Sequence, residues 1–151
     1  MASIDHKAAI EVVTFALDGE IFALEAGLVR EILDAVTITR VPGARPFIDG
    51  LINVRGKVVP LADLRLKFGM AMTPATHDTR IIVIEMMLAG EPVTVGVLAD
   101  KVYEVTTVAG ASVQDAPEIG MSWNPDFVKG IGKRDDGFII IPDIEHIFAA
   151  E

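Results

Sequence analysis

Residues in the second part of this chain repeat residues in the first at a constant spacing. Phe127, Gly130, Asp143 and Phe148 each stand 80 positions after Phe47, Gly50, Asp63 and Phe68. Earlier motifs agree with a small slip. Leu17-Asp18-Gly19-Glu20 is matched by Leu88-Ala89-Gly90-Glu91 at an offset of 71, and V-x-E-I at residues 29–32 by V-x-E-V at 102–105 at an offset of 73. One such match arises easily by chance, a collinear series rarely. Two copies are too few to stack as a solenoid, so the pattern constrains the chain to a duplicated domain of two related units.

The content of each unit is β. Val, Ile and Thr dominate in short runs punctuated by Gly, Pro and Asp. Residues 10–17 and 20–24 flank Asp18-Gly19, a dipeptide that supplies the positive φ angles of a tight hairpin turn. Residues 52–54 and 58–59 flank Arg55-Gly56-Lys57, residues 80–88 and 93–98 flank Ala89-Gly90-Glu91, and residues 131–134 and 138–141 flank Asp135-Asp136-Gly137. Strands of this length, spaced by turn signals, predict small barrels or a sandwich. Helix is confined to short segments: one near residues 46–50, one over 63–68 capped by Asp63, and one over 143–148 capped by Asp143. Residues 69–79, with Pro74 and no aliphatic run, read as the linker at which the chain crosses between units. The expected organisation is a tail over 1–9 and one domain over 10–150, with halves at 10–70 and 78–150.

Composition excludes several function classes. At 151 residues the chain can bury a core of its own. Its mean hydropathy of +0.45 raises the question of a membrane span. The longest uncharged stretches, residues 68–77 and 105–114, are ten residues each, half of what a spanning helix requires. Asp5 and Glu11 stand where an export signal would be apolar. The expectation is a cytoplasmic protein without membrane insertion. The absence of cysteine removes disulfides, thiolate metal sites and thiol catalysis. A net charge of −9 opposes nucleic acid as a partner, because binding phosphates requires Lys and Arg to displace counterions.

The search for catalytic chemistry is nearly empty. His6, His77 and His146 have no metal-ligand spacing, and Ser3, Ser112 and Ser122 lie in no nucleophile elbow. Gly130-x-Gly132 has neither a following helix nor a G-K-[S/T] and reads as a hairpin. No enzyme activity and no cofactor are expected. A small ligand-binding β-barrel or enzyme stands as the alternative of another class, because carboxylate pairs meet in space rather than in sequence. One segment differs from the rest. Residues 47–68, F-I-D-G-L-I-N-V-R-G-K-V-V-P-L-A-D-L-R-L-K-F, place Arg55 on a hairpin tip ahead of Gly56. An arginine fork pairs bidentately with a carboxylate, and Glu31 is the obvious intramolecular candidate.

That segment resembles the core motif of the CheW family of chemotaxis coupling proteins. The resemblance runs from Glu11 to Phe148. It takes in F-A-L-D-G-E-I-F-A-L near the start, V-R-E-I at 29–32, G-V-L-A-D-K-V at 96–102, F-V-K-G-I-G, and I-I-I-P-D-I-E-H-I-F near the end. It implies an all-β fold of two SH3-like five-stranded β-barrels packed side by side, with a few short helices. It implies a non-catalytic adaptor with two kinds of partner, the cytoplasmic tips of chemoreceptors and the CheW-like domain of the histidine kinase CheA. The protein would be cytoplasmic and recruited to membrane-associated receptor arrays. The receptor-binding set carried over is Val29, Glu31, Gly50, Arg55, Ile81, Ile82, Gly96 and Val102; kinase-binding residues are not placed. A CheW-like scaffold of a twitching pathway is the alternative within the class. On the residues alone, Val29, Ile81, Ile82 and Val102 read equally as barrel core, and Gly50 and Gly96 as backbone requirements.

Overall fold

The computed structural model describes residues 9–34, 36–43, 47–117, 124–134 and 137–149. His6, Pro46, Trp123, Asp135 and Asp136 lie outside the described residues. Ten strands are present: β1 (Ala9–Leu17), β2 (Glu20–Glu25), β3 (Val29–Asp34), β4 (Ile48–Val54), β5 (Lys57–Ala62), β6 (Arg80–Leu88), β7 (Glu91–Ala99), β8 (Lys101–Ala109), β9 (Val128–Arg134) and β10 (Gly137–Pro142). Two short helices, α1 (Leu64–Phe68) and α2 (Ile144–Ala149), accompany them. The all-β class holds, with two five-stranded sheets.

The hairpins follow from local chemistry. Three tips are two-residue turns with both φ angles positive: Asp18 and Gly19 at 47° and 79°, Arg55 and Gly56 at 54° and 85°, Ala89 and Gly90 at 54° and 80°. That is the turn whose twist matches two antiparallel strands. At the Arg55 tip, Asn53 Oδ1 accepts the Gly56 N–H at 2.7 Å and holds the unusual arginine backbone in place. The two helix caps are as read from the sequence. Asp63 accepts the Arg65 N–H at 3.1 Å, and Asp143 accepts the His146 N–H at 3.0 Å. The constant offset of 80 also has a physical meaning here. The Asp63 N–H donates to Phe47 O and the Asp143 N–H to Phe127 O, each at 2.8 Å, so the repeated residues make one repeated bond.

Three expectations are corrected. Residues 48–50 are strand rather than helix, because Ile48–Val54 forms a ladder with β5 and Leu51 exchanges two further bonds with Thr39. β3 and β8, not read as strands in the sequence, are the edge neighbours of β6 and β1. Finally, the chain does not cross between sheets at 69–79. Strand order is β8-β1-β2-β10-β9 in one sheet and β3-β6-β7-β5-β4 in the other. The first hairpin of each half is therefore inserted into the sheet of the other half, and the crossings fall between β2 and β3 and between β7 and β8. The halves 10–70 and 78–150 are sequence repeats, but neither builds a sheet by itself.

Under the repeat offsets the two strand orders are identical, and so are the details. The parallel contacts are β10 with β2, at Ile140 and Phe22, and β5 with β7, at Leu61–Gly96 and Ala62–Val97. The segment after β3 returns to β4 through Thr39 and Leu51, and the segment after β8 to β9 through Gln114 and Ile131. Each return links the two ends of its own sheet. Three cores result. Val12, Ala23, Val108, Val113, Ile139 and Ile141 fill the first sheet, and Ile52, Val54, Val59, Leu61, Ile81 and Val83 fill the second. The largest core lies between the sheets and takes Phe15, Leu17, Phe22 and Leu24 from one, Ile82, Ile84, Val95 and Val97 from the other, and both helices.

Gly50 shows how tightly the return after β3 fits. A Cβ there would lie 2.5 Å from Thr39 O and 2.7 Å from Ile38 Cγ2. Gly50→Ala is expected to lower unfolding free energy by about 1–3 kcal/mol, the cost of an overpacked core. Gly132→Ala, whose Cβ would meet one valine methyl at 3.1 Å and no backbone atom within 4 Å, should lose clearly less. Urea denaturation followed by circular dichroism decides; equal losses would mean that the Thr39 segment yields.

Candidate functional site

The chain crosses between the sheets twice. A 3-10 turn at Ala26–Leu28 leads into β3, and Asp100 alone separates β7 from β8. The first apolar residues beyond the crossings, Val29 and Val102, are equivalent under the repeat, and both pack partly buried against the core between the sheets.

A register irregularity in each strand extends this pair into a row. On β3, Val29 faces Ile84 and Glu31 faces Val83, so three positions of β3 span two of β6. On β8, Val102 faces Phe15 and Val105 faces Val13, so four positions span three. Directly opposed residues share a face, and a bulge reverses the alternation beyond it. Ile32 opposite Ile82 therefore joins Val29 on the inter-sheet side, and Val105 joins Val102. Ile32 is 44% exposed and Val105 58%. Thr14 sits at the bulge, fully buried, and its hydroxyl donates to Glu104 O at 3.2 Å. The seam between the sheets thus carries four apolar side chains, two seated and two exposed.

The other row of β3 carries Glu31. Its Oε1 is 3.3 Å from Arg55 Nη2, so the pair expected from chemistry forms. The Arg55 side chain is 81% exposed and keeps further donors free to reach a partner. Because β3 and the β4–β5 tip belong to opposite ends of one sheet, the pair also reports how far that sheet has curled. Next to it, Arg30 donates from Nη1 to Gly27 O at 3.0 Å and from Nη2 to Glu85 at 3.1 Å.

The eight residues carried over by resemblance do not form one surface. Val29 and Val102 both pack against the core between the sheets, and Glu31 meets Arg55. Ile81 and Ile82 are fully buried on opposite sides of β6, the former inside the second sheet and the latter between sheets. They can shape a docking face but present no area to one. Gly50 and Gly96 are buried for packing reasons, a Cβ at Gly96 lying 3.0 Å from Ile81 Cγ2. Ile32 and Val105 were missed by residue-level reasoning, although the repeated V-x-E-I/V motif marks both. Two hollows lie elsewhere. One of about 530 Å³ is lined by Gln114, Lys133, Phe138 and Ile140, and one of about 500 Å³ by Pro60, Met86, Val93 and Phe148. Neither is lined by any of the eight. Among the described residues no group of His, Asp or Glu could hold a metal ion.

Comparison with known proteins adds the family. The CheW-like domain model matches residues 11–151. The chain is 32% identical over 146 residues to the chemotaxis protein CheW of Bacillus subtilis, covering 96% of this chain and 90% of that one. It is 30% identical over 141 residues to the chemotaxis protein CheW of Klebsiella aerogenes, covering 93% and 82%. The crystal structure of the scaffolding protein TtCheW from Thermoanaerobacter tengcongensis superposes with a TM-score of 0.83 at 33% identity, over 95% of each chain.

The backbone of Arg55 separates its role in folding from its role in contacts. Asn-Gly is the preferred pair for a turn with two positive φ angles, and an exposed ion pair contributes only about 0–1 kcal/mol. Arg55→Asn is therefore expected to melt at or above the temperature of the parent, although the Glu31 pair is gone. A clear drop in melting temperature by circular dichroism would make the pair a structural requirement.

Proposed function

Because the chain belongs to the CheW-like domain family, we propose that it is the adaptor that couples chemoreceptors to the histidine kinase CheA in bacterial chemotaxis. It works by holding two proteins together and not by catalysis. The observation that carries the receptor half of this reading is the seam row of Val29, Ile32, Val102 and Val105 with the Glu31–Arg55 pair beside it. An apolar strip between two walls accepts the apolar face of an amphipathic helix, and a flanking arginine with free donors fixes its position by binding a carboxylate or a carbonyl. The cytoplasmic tip of a chemoreceptor supplies such a helix in this reading. Ile81, Ile82, Gly50 and Gly96 contribute by setting the shape of the walls.

The kinase requires a second surface. Val58 and Phe138 are 80 positions apart, one on each sheet, and are 72% and 63% exposed. They offer apolar area away from the seam for the CheW-like domain of the kinase. No described helix is long and apolar enough to cross a membrane, so the chain reaches a membrane-associated array through its receptors.

The reading predicts a dissociation between partners. Arg55→Ala and Val105→Asp should each weaken binding to receptor in nanodiscs by about 2 kcal/mol, roughly thirtyfold, as truncation of a desolvated anchor commonly does. Binding to full-length kinase should stay within about threefold in both. Sedimentation with receptor and titration with kinase measure the two separately. Equal losses for both partners would refute a receptor-specific seam.

A further inference from the structure

Three positions at one end of the seam break the duplication together. Under the offsets of the repeat, Arg65 in α1 corresponds to Glu145, Asp100 before β8 to Gly27 before β3, and Asp18 in the first turn to Ala89 in the third. In space the three charged residues meet. Arg65 is buried and grips Asp63 with both arms of its fork, Nε to Oδ1 at 2.9 Å and Nη2 to Oδ2 at 2.8 Å. Its Nη1 donates to the carbonyl and hydroxyl oxygens of Thr73, each at 3.1 Å, and lies 3.6 Å from Asp100 Oδ1. The second Asp100 oxygen accepts the Asp18 N–H at 2.8 Å, and the Asp100 N–H donates to Ala16 O at 2.9 Å. Asp18 in turn accepts the Ala71 N–H at 3.1 Å. The hydrogen bonds to Asp63 raise the Arg65 pKa above its ordinary value against the opposing effect of burial, so the guanidinium is always charged.

At the repeat-equivalent positions of the identically ordered other sheet stand Ala89, Gly27 and Glu145, so the strand order does not require these three charges. Net stability is a poor explanation as well, because the desolvation of buried ions offsets most of their attraction. What a satisfied network does supply is a fixed geometry. The geometry fixed here is the entry to β8: Asp100 directly precedes Lys101, and β8 carries Val102 and Val105.

We propose that Asp100 and Arg65 are positioning residues for the β8 wall of the seam. They fix the height at which Val102 and Val105 meet a docked helix, through the β7–β8 crossing, and touch no partner themselves. The β3 wall follows a turn held by the exposed Arg30 bond to Gly27 and adjusts to the ligand. This inference rests on the seam being the receptor face.

The test uses the full chain with labelled valine and isoleucine methyl groups, as parent, Asp100→Ala, Asp100→Asn and Arg65→Met. Asp100→Ala and Arg65→Met are expected to shift the Val102 and Val105 methyl resonances and leave those of Val29 and Ile32 in place. Affinity for receptor in nanodiscs should fall about tenfold and affinity for full-length kinase stay within about twofold, the range for residues that act without contact. Asp100→Asn keeps an acceptor for the Asp18 N–H and should recover receptor binding to within about threefold. Arg65→Met leaves Asp63 buried without its partner and is the variant at risk of unfolding, so the two Asp100 variants decide. Methyl shifts equal on β3 and β8, or absent from both, overturn the proposal, as does an Asn variant no better than Ala. If the β8 methyls shift as expected but the parent itself does not bind receptor, the positioning role stands and the receptor reading falls.

Discussion

The exchange of hairpins between the two halves is the constraint on which the rest of the structure depends. Each sheet contains two strands from one half and three from the other, so neither half can satisfy its own ladders. The repeated phenylalanines make the same exchange. Phe47 meets Phe148 at 5.1 Å and 75°, and Phe127 meets Phe68 at 6.3 Å and 80°. Under the offset of 80 these are one contact made twice, the reciprocal pairing that a two-fold axis imposes on an interface. Both are edge-to-face, the arrangement aromatic quadrupoles favour. Lys67 adds a cation to the cluster, with Nζ 4.8 Å from the Phe47 ring and 5.0 Å from that of Phe127.

A shared core of this kind makes the two sheets one folding unit, and it also creates the site. Crossing strands must pass over the boundary between sheets, and the first apolar residue beyond each crossing lands on that boundary. Val29 and Val102 hold their places for this reason. Bulges then do what regular alternation forbids, placing residues three apart on one face. Without them Ile32 and Val105 would turn away from the seam. Exposed apolar area at the seam is thus a by-product of how the chain gets from one sheet to the other.

Much of this was legible in the sequence. The duplication, the four hairpins, the two capped helices and the Glu31–Arg55 pair could be read directly, because turns, caps and ion pairs depend on a few residues acting locally. Strand partnership could not. Nothing in residues 10–24 says whether the first hairpin will pair with its own half or with the other, since both halves offer equivalent strands. β3 and β8 were illegible as strands because their bulges break the period of two on which a strand is recognised. Ile81 and Ile82 show the limit of transferring residues by family. Their positions match the pattern, but their side chains face two different cores.

Symmetry alone would leave such a seam ambiguous. In the proposed reading Val29 and Ile32 line one wall and Val102 and Val105 the other, an arrangement nearly unchanged by exchange of its walls. Its apolar contacts alone would therefore hold an asymmetric ligand about equally well in two opposite orientations. Charge removes the ambiguity. Glu31 has its counterpart in Glu104, but Arg55 has its counterpart in Asp135. The first half pairs its glutamate with an arginine, whereas the sequence of the second half has no arginine at the equivalent position. A ligand carboxylate is attracted at the Arg55 end of the seam, and charge that differs between the ends of an interface is a usual means of rejecting a wrong arrangement. The duplicated apolar residues give the site its shape, and the positions where the two halves differ give it a direction.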